Sequence, residues 1–91
     1  MWRVAELSGK AERALARLKR TPEKMRAVFN ALAQIEEHPK ADPDKPWAIR
    51  HMKGDWRCHR EFRDLPDEMR VIYWVDDAAR QIEVKYIGPH L

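Results

Sequence analysis

The stretch that most constrains the fold runs from Glu68 to Asp77, in the C-terminal third of the chain. β-branched and aromatic side chains follow one another from Val71 to Val75, and acidic residues end the run. This pattern predicts a β-strand over Met69–Val75. The strand contains one arginine, Arg70. Such a residue is either solvated on an open face of a sheet, which is the commoner case, or held there to bind an anion.

Two helices are predicted before the strands. Ser8 is a suitable N-cap, and apolar residues recur with helical spacing from Gly9 to Arg20. A second helix begins at Thr21-Pro22-Glu23, where a capping residue precedes a proline and an acid, and it ends at His38-Pro39. The apolar stripe of this helix is predicted to comprise Met25, Val28, Phe29, Leu32 and Ile35. The short break between the helices predicts an antiparallel pair.

The remaining strands are predicted from shorter patterns. Trp2–Leu7 is a short first strand, and a loop rich in proline and charge follows the helices. Trp47–Lys53 is extended, and Trp56–Phe62 alternates. Gln81–Ile87 forms the last strand.

The alternation also assigns faces to these strands. His59 and Glu61 fall on one face of their strand and Arg60 on the other, with Cys58 predicted as a small core residue. In the last strand, one face is predicted to carry Ile82, Val84 and Tyr86.

This order of elements predicts an α+β fold. With 91 residues the chain forms a single domain over 1–91. A short N-terminal strand and a two-helix hairpin should pack on one face of a small, twisted antiparallel sheet. The other face would be open, and Arg70 could act there.

The charge distribution favours a polyanionic partner. The net charge of +3 is modest, but the segment from Arg50 to Arg63 holds five Lys/Arg and two His against two acids. Such a local excess attracts a phosphate backbone. The basic residues are Arg50, Lys53, Arg57, Arg60 and Arg63.

The single cysteine and the histidines exclude other classes. One cysteine cannot form an intrachain disulfide, which fits a reducing cytosol. We find no signal-peptide pattern and no apolar run able to span a bilayer, so a cytoplasmic protein without membrane contact is expected. His51 and His59 lack a metal-binding spacing, and neither a metal nor another cofactor is expected.

Three segments carry a resemblance to a known family. They are Met52-Lys53-Gly54-Asp55-Trp56-Arg57, then Met69-Arg70-Val71-Ile72-Tyr73-Trp74-Val75-Asp76-Asp77, and finally Tyr86-Ile87-Gly88-Pro89-His90. Together with the element order, they resemble the RelE/ParE superfamily of type II toxins, and most closely its YoeB-like, YafQ-like and RelE-like mRNA interferase branch. The Arg-Val-Ile-Tyr strand is the most specific part.

The resemblance implies a fold, an activity and partners. The fold would be a small twisted sheet with two helices on one face. RelE-type members are ribosome-dependent endoribonucleases that cleave mRNA, whereas ParE-type members inhibit DNA gyrase without nuclease activity. Both types are neutralised by a cognate antitoxin. The resemblance therefore implies a homodimer or a toxin–antitoxin hetero-oligomer.

The resemblance also assigns roles to residues. Arg70 falls on the phosphate-binding catalytic arginine, and His90 falls close to a C-terminal histidine that acts as general acid or base. The base is left open between Glu61, His59 and His51. Such residues suit metal-independent RNA cleavage, in which a 2′-OH attacks the adjacent phosphate. The predicted RNA-binding residues are Arg50, His51, Lys53, Arg57, Arg60 and, through base stacking, Trp74.

Two functions from different classes follow from this sequence. The favoured one is an mRNA endoribonuclease toxin, because Arg70 and the histidines supply the groups such a reaction needs. The alternative is a gyrase-binding inhibitor in which Arg70 has a structural role.

Overall fold

Two helices pack against one face of a five-stranded sheet in the computed structural model, which describes residues 1–91. Helix α1 spans Gly9–Leu18, and the Ser8 hydroxyl caps it by accepting a hydrogen bond from the Ala11 N–H at 3.1 Å. Helix α2 spans Pro22–Glu37 and has proline in its first turn. Both predicted helices are confirmed. Neither helix has the length and apolar character needed to cross a membrane.

The buried face of α2 differs from the predicted stripe. Val28, Ala31 and Ile35 are buried, whereas Phe29 is 51% exposed. The contact face is centred on positions 28, 31 and 35, which follow the spacing of one helix side. Phe29 lies about 100° around the helix from Val28, and it therefore points away from the sheet.

The sheet contains strands β1 (Arg3–Leu7), β2 (Ile49–His51), β3 (His59–Phe62), β4 (Met69–Asp76) and β5 (Gln81–Pro89). Their order is β1-β5-β4-β3-β2, and β2 to β5 form the predicted antiparallel meander. The predicted α+β fold is confirmed. The N-terminal strand β1 adds a fifth strand at one edge, where it pairs in parallel with β5.

The core lies between the helices and one side of the sheet. Its strand residues include Val71, Tyr73 and Val75 of β4 and Ile82 and Val84 of β5. We call the opposite side the open face. By strand alternation it carries Arg70, Ile72 and Trp74 of β4, together with the residues that pair with them.

A β-bulge in β5 changes which residues reach the open face. Tyr73 pairs with Val84, but the neighbouring Ile72 pairs with Tyr86, so Lys85 is an extra residue in β5. Tyr86 therefore lies on the open face. The prediction that it shares a face with Ile82 and Val84 is wrong.

The chain before β3 also differs from the prediction. A short 3₁₀ turn at Gly54–Trp56 shortens the strand, which begins only at His59. Cys58 is exposed and has a φ of 75°, so its assignment to the core is wrong.

Candidate active site

Three charged side chains meet on the open face. Glu61 of β3 pairs with Ile72 of β4 and with Arg50 of β2, so these three positions form one row across the sheet. Arg70 precedes Ile72 by two residues on the same face. Glu61 Oε1 lies 3.2 Å from Arg50 Nη2 and 3.8 Å from Arg70 Nε. We call Arg50, Glu61 and Arg70 the charge triad.

The members of the charge triad differ in exposure. The Glu61 side chain is only 2% exposed and that of Arg70 13%, whereas Arg50 is 52% exposed. Burial of a carboxylate requires charge compensation, and the two guanidinium groups supply it. Arg50 is accessible to a ligand from solvent, while Arg70 is sheltered.

The buried atoms of the triad are incompletely hydrogen-bonded. Arg70 Nη1 donates to the Met69 carbonyl at 2.9 Å, but Arg70 Nε and Glu61 Oε1 have no hydrogen-bond partner. A buried polar atom left without a partner costs about 1–3 kcal/mol. Two arginines and one carboxylate carry a formal charge of +1. An anion bound here would neutralise that charge.

His90 follows β5 at the end of the sheet nearest Arg70. Arg70 pairs with Gly88, and the His90 N–H donates to the Glu68 carbonyl at 3.0 Å, which extends the β4–β5 register past the end of the strand. Strand alternation therefore places His90 on the side of Arg70 and Gly88. The His90 side chain is exposed and accessible to a ligand.

Tyr86 supports the segment that carries His90, and the sequence did not indicate this role. Its hydroxyl donates to the Pro89 carbonyl at 2.7 Å. A Cβ atom built on Gly88 would lie 2.7 Å from the Tyr86 hydroxyl oxygen, so glycine leaves room for the ring. The only sequence signal for this role is the glycine two residues after the tyrosine. That signal can be interpreted only once the bulge is known to place Tyr86 and Gly88 on the open face.

His59 and Trp74 form a separate part of the open face. They pair across β3 and β4. Trp74 lies four residues along β4 from Arg70, a distance of about 13 Å at the usual strand rise. The Trp56 ring contacts the His59 ring edge-on, with 5.3 Å between centroids. The half-buried Trp74 can offer a surface to a base.

The other predicted RNA-binding residues fall into two groups. Lys53 and Arg57 are exposed in the connection between β2 and β3, at the same end of the sheet as Trp74. His51 and Arg60 pair with each other, but on the opposite side of their strands from Arg50 and Glu61. The fold does not bring these two residues to the charge triad.

The site contains no assembled group of metal-binding side chains. Nowhere in the chain do three or more His, Cys, Asp or Glu side chains come together in a way that would hold a metal ion.

Comparison with solved structures identifies the fold. A YoeB/ParE toxin from Agrobacterium tumefaciens superposes with a TM-score of 0.80 over 100% of both chains, at 20% identity. The chain has the fold of the RelE/ParE toxins. The heterotetrameric YoeB–YefM toxin–antitoxin complex from Staphylococcus aureus gives 0.76 over 97% of this chain and 98% of that one, at 17% identity.

A third structure has the same fold. The DinJ–YafQ toxin–antitoxin complex from E. coli gives a TM-score of 0.75 at 17% identity, over 99% of this chain and 94% of that one. No family model and no curated protein matches the sequence. The resemblance expected from the Arg-Val-Ile-Tyr strand is confirmed at the level of the fold.

Proposed function

We propose that this chain is the toxin of a type II toxin–antitoxin system, and that it acts as a metal-independent, ribosome-dependent endoribonuclease on mRNA. The observation that carries this proposal is the charge triad on the open face, with His90 on the same side at the end of β5. The YoeB and YafQ fold, in which toxins of this kind occur, adds support.

The proposed reaction begins with binding of the scissile phosphate by Arg70. An arginine fork can donate two hydrogen bonds to phosphate oxygens, and the unpartnered Nε adds to the capacity of Arg70. Arg50 adds a second positive charge beside it. Both charges stabilise the extra negative charge that develops as the phosphorus becomes five-coordinate.

Proton transfer requires a base and an acid on either side of that phosphate. A base takes the proton of the 2′-OH, and the 2′ oxygen then attacks phosphorus. The 5′ oxygen leaves with a proton from the acid, which gives a 2′,3′-cyclic phosphate and a free 5′-OH. We assign the acid to His90, because a protonated imidazole can donate a proton to the leaving oxygen and the His90 side chain is exposed.

Position favours Glu61 over His59 as the base. Glu61 lies within 3.8 Å of Arg70, whereas His59 pairs with Trp74, four residues farther along β4. Glu61 is buried beneath the two arginines. A role as base therefore requires these guanidinium groups to turn towards the phosphate, which would uncover Glu61 for the 2′-OH. His59, with Trp74, Lys53 and Arg57, then contacts RNA beyond the cleaved bond.

The proposed setting is the cytoplasm, where mRNA and the ribosome are available. The partner that restrains the activity is a cognate antitoxin. The structures of toxin–antitoxin complexes with this fold support such a partner, either as a heterodimer or as a larger assembly.

The test is expression of the chain without an antitoxin, with growth and mRNA integrity followed together. Arg70→Ala and His90→Ala should each relieve growth arrest, because each general acid–base or phosphate-binding group contributes about 10²–10⁴-fold. The matched controls are Arg26→Ala and His38→Ala. These two residues are exposed on α2 and at its C-terminal end, and the control variants should remain toxic.

Two outcomes would contradict the proposal. Full toxicity of both Arg70→Ala and His90→Ala would show that the assignment of the catalytic site is wrong. Arrest of DNA replication with intact mRNA would instead identify gyrase as the target and a binding function for this fold.

A further inference from the structure

The bulge at Lys85 decides on which face His90 lies. Before the bulge, the even-numbered residues Ile82 and Val84 face the helices. After it, Tyr86 and Gly88 pair with Ile72 and Arg70, and Ile87 enters the core instead. A register change of one residue moves every later side chain to the other face. Without the extra residue, His90 would fall on the helix side, away from Arg70.

One side chain from outside the β4–β5 hairpin holds this bulge. The Ser8 hydroxyl donates to the Lys85 carbonyl at 2.8 Å, and the Ser8 N–H donates to the neighbouring Val84 carbonyl at 2.9 Å. In a bulge the extra residue loses its regular ladder partner, and its backbone groups need another one. Ser8 supplies that partner to Lys85 while it also accepts from the Ala11 N–H.

The consequence of the bulge extends to the residue before His90. Because Tyr86 lies on the open face, its ring occupies the space above Gly88, and its hydroxyl reaches the Pro89 carbonyl at 2.7 Å. The Lys10 ammonium also lies over the Tyr86 ring, 5.8 Å from its centroid. The beginning of α1 is thus connected to the His90 segment through Lys85 and Tyr86.

We propose that Ser8 is a positioning residue for His90: by fixing the Lys85 bulge, it keeps the end of β5 in the register that brings His90 to the face of Arg70. This inference rests on the proposed nuclease function for its kinetic consequence. Its structural consequence, the register of the β5 end, does not depend on that function.

The test separates the two hydrogen bonds of Ser8. In Ser8→Asp the carboxylate still caps α1, since aspartate is as good an N-cap as serine, but it has no proton to donate to Lys85. Ser8→Thr keeps both the acceptor and the donor. Thr21→Asp is the matched control, because Thr21 is the N-cap of α2 and lies at no bulge.

Cleavage is measured on mRNA-programmed ribosomes, with kcat and KM determined separately. Ser8→Asp should lower kcat about 10- to 100-fold, the loss expected when a catalytic group is displaced by about 1 Å, with KM changed less than about threefold. Ser8→Thr and Thr21→Asp should stay within about threefold of the parent in both constants. A purely structural role of Ser8 would not leave folding and KM intact while lowering kcat.

A second measurement needs no activity. Hydrogen exchange of the His90 amide, which donates to Glu68, should be at least tenfold faster in Ser8→Asp and unchanged in Ser8→Thr and Thr21→Asp. Equal His90 protection in Ser8→Asp and the parent would overturn the inference, and so would parental kcat in Ser8→Asp. If the parent cleaves no RNA but the exchange result holds, the proposed function fails while the positioning role stands.

Discussion

The charge triad allows a quantitative test of whether burial or distance governs the strength of an ion pair. The shorter of its two ion pairs is the more exposed one. Arg50 is nearer to Glu61 Oε1, at 3.2 Å, but it is half exposed. Arg70 is farther, at 3.8 Å, but it is only 13% exposed. If burial governs the energy, the longer pair should be the stronger one. Double-mutant cycles with Glu61→Gln, Arg50→Gln and Arg70→Gln measure both couplings.

The expected magnitudes follow from Coulomb's law. At 3.8 Å the interaction is about 4 kcal/mol for an effective dielectric constant near 20 and about 1 kcal/mol in water. The Glu61–Arg70 pair lies between these limits and lacks a direct hydrogen bond, so we expect a coupling of about 2 kcal/mol. In the Glu61–Arg50 pair the arginine is half exposed, and ion pairs screened by water typically contribute less than about 1 kcal/mol.

The assay is urea unfolding at pH 7 of the parent, the three single variants and the two double variants, all refolded from denaturant. Repeating it in about 1 M salt should abolish the Arg50 coupling and leave more than half of the Arg70 coupling, because salt screens exposed charges most strongly. A Glu61–Arg50 coupling equal to or larger than the Glu61–Arg70 coupling would refute the reasoning from burial.

Two further predictions concern tyrosines. The Tyr73 hydroxyl donates to the buried Pro39 carbonyl at 2.6 Å, so Tyr73→Phe should lower the free energy of unfolding by about 1–3 kcal/mol. Burial raises the pKa of Tyr73 above its usual value of 10, so the folded state holds this proton more tightly than the unfolded state. The stability that it contributes is complete below pH 10 and falls as the pH rises further. Above pH 10, the free energy of unfolding should therefore depend less on pH in Tyr73→Phe than in the parent. In Gly88→Ala the new methyl group would lie 2.7 Å from the Tyr86 hydroxyl oxygen and displace that ring. Cleavage should fall at least about tenfold while the unfolding free energy changes by about 1 kcal/mol or less, as kinetics and urea titration together would show.

Local signals predicted most of the fold. Ser8 and Thr21-Pro22 mark the starts of α1 and α2 because capping and proline geometry act within a few residues. The run from Met69 to Val75 predicted β4 because its side chains favour an extended, half-buried backbone. In each case the physical cause lies inside the segment itself.

Features that depend on distant partners were not predictable in this way. Lys85 continues a normal alternation in the sequence, and its bulge exists because of pairing with β4 and the hydrogen bond from Ser8, 77 residues away. The parallel pairing of β1 likewise depends on where the helices return the chain. Cys58 alternates with Trp56 and Phe62 in the sequence, which predicted a core position, but the turn before β3 requires its positive φ and exposes it.

The arrangement of the candidate site follows only in part from the sequence, for the same reason. Alternation within β3 placed Glu61 and His59 together on one face, and the structure agrees. The register between β2 and β3 decides whether Arg50 or His51 lies beside Glu61. The pattern within a single strand does not determine that register. Arg60 lies within the basic segment from Arg50 to Arg63, which predicts a role in RNA binding. Strand alternation, however, places it on the opposite side of the sheet from Arg70.

The separation between the charge triad and the exposed basic residues implies different kinetic roles. Lys53 and Arg57 lie in the β2–β3 connection near Trp74, at the other end of the open face from His90. In the proposed mechanism, RNA contacts about 13 Å from Arg70 would be made equally in the ground state and in the transition state. They should therefore strengthen RNA binding without accelerating bond cleavage.

The double variant Lys53→Ala/Arg57→Ala should accordingly raise KM at least about fivefold and change kcat by less than about twofold. Each phosphate contact that is lost should also reduce the salt-dependence slope of binding to single-stranded RNA by about 0.7. Arg70→Ala should show the opposite kinetic pattern, with kcat falling far more than KM rises, because in the proposed mechanism Arg70 contacts the phosphate at which charge develops. A fall in kcat in the double variant comparable to that in Arg70→Ala would place the reaction near Trp74, and not at the charge triad.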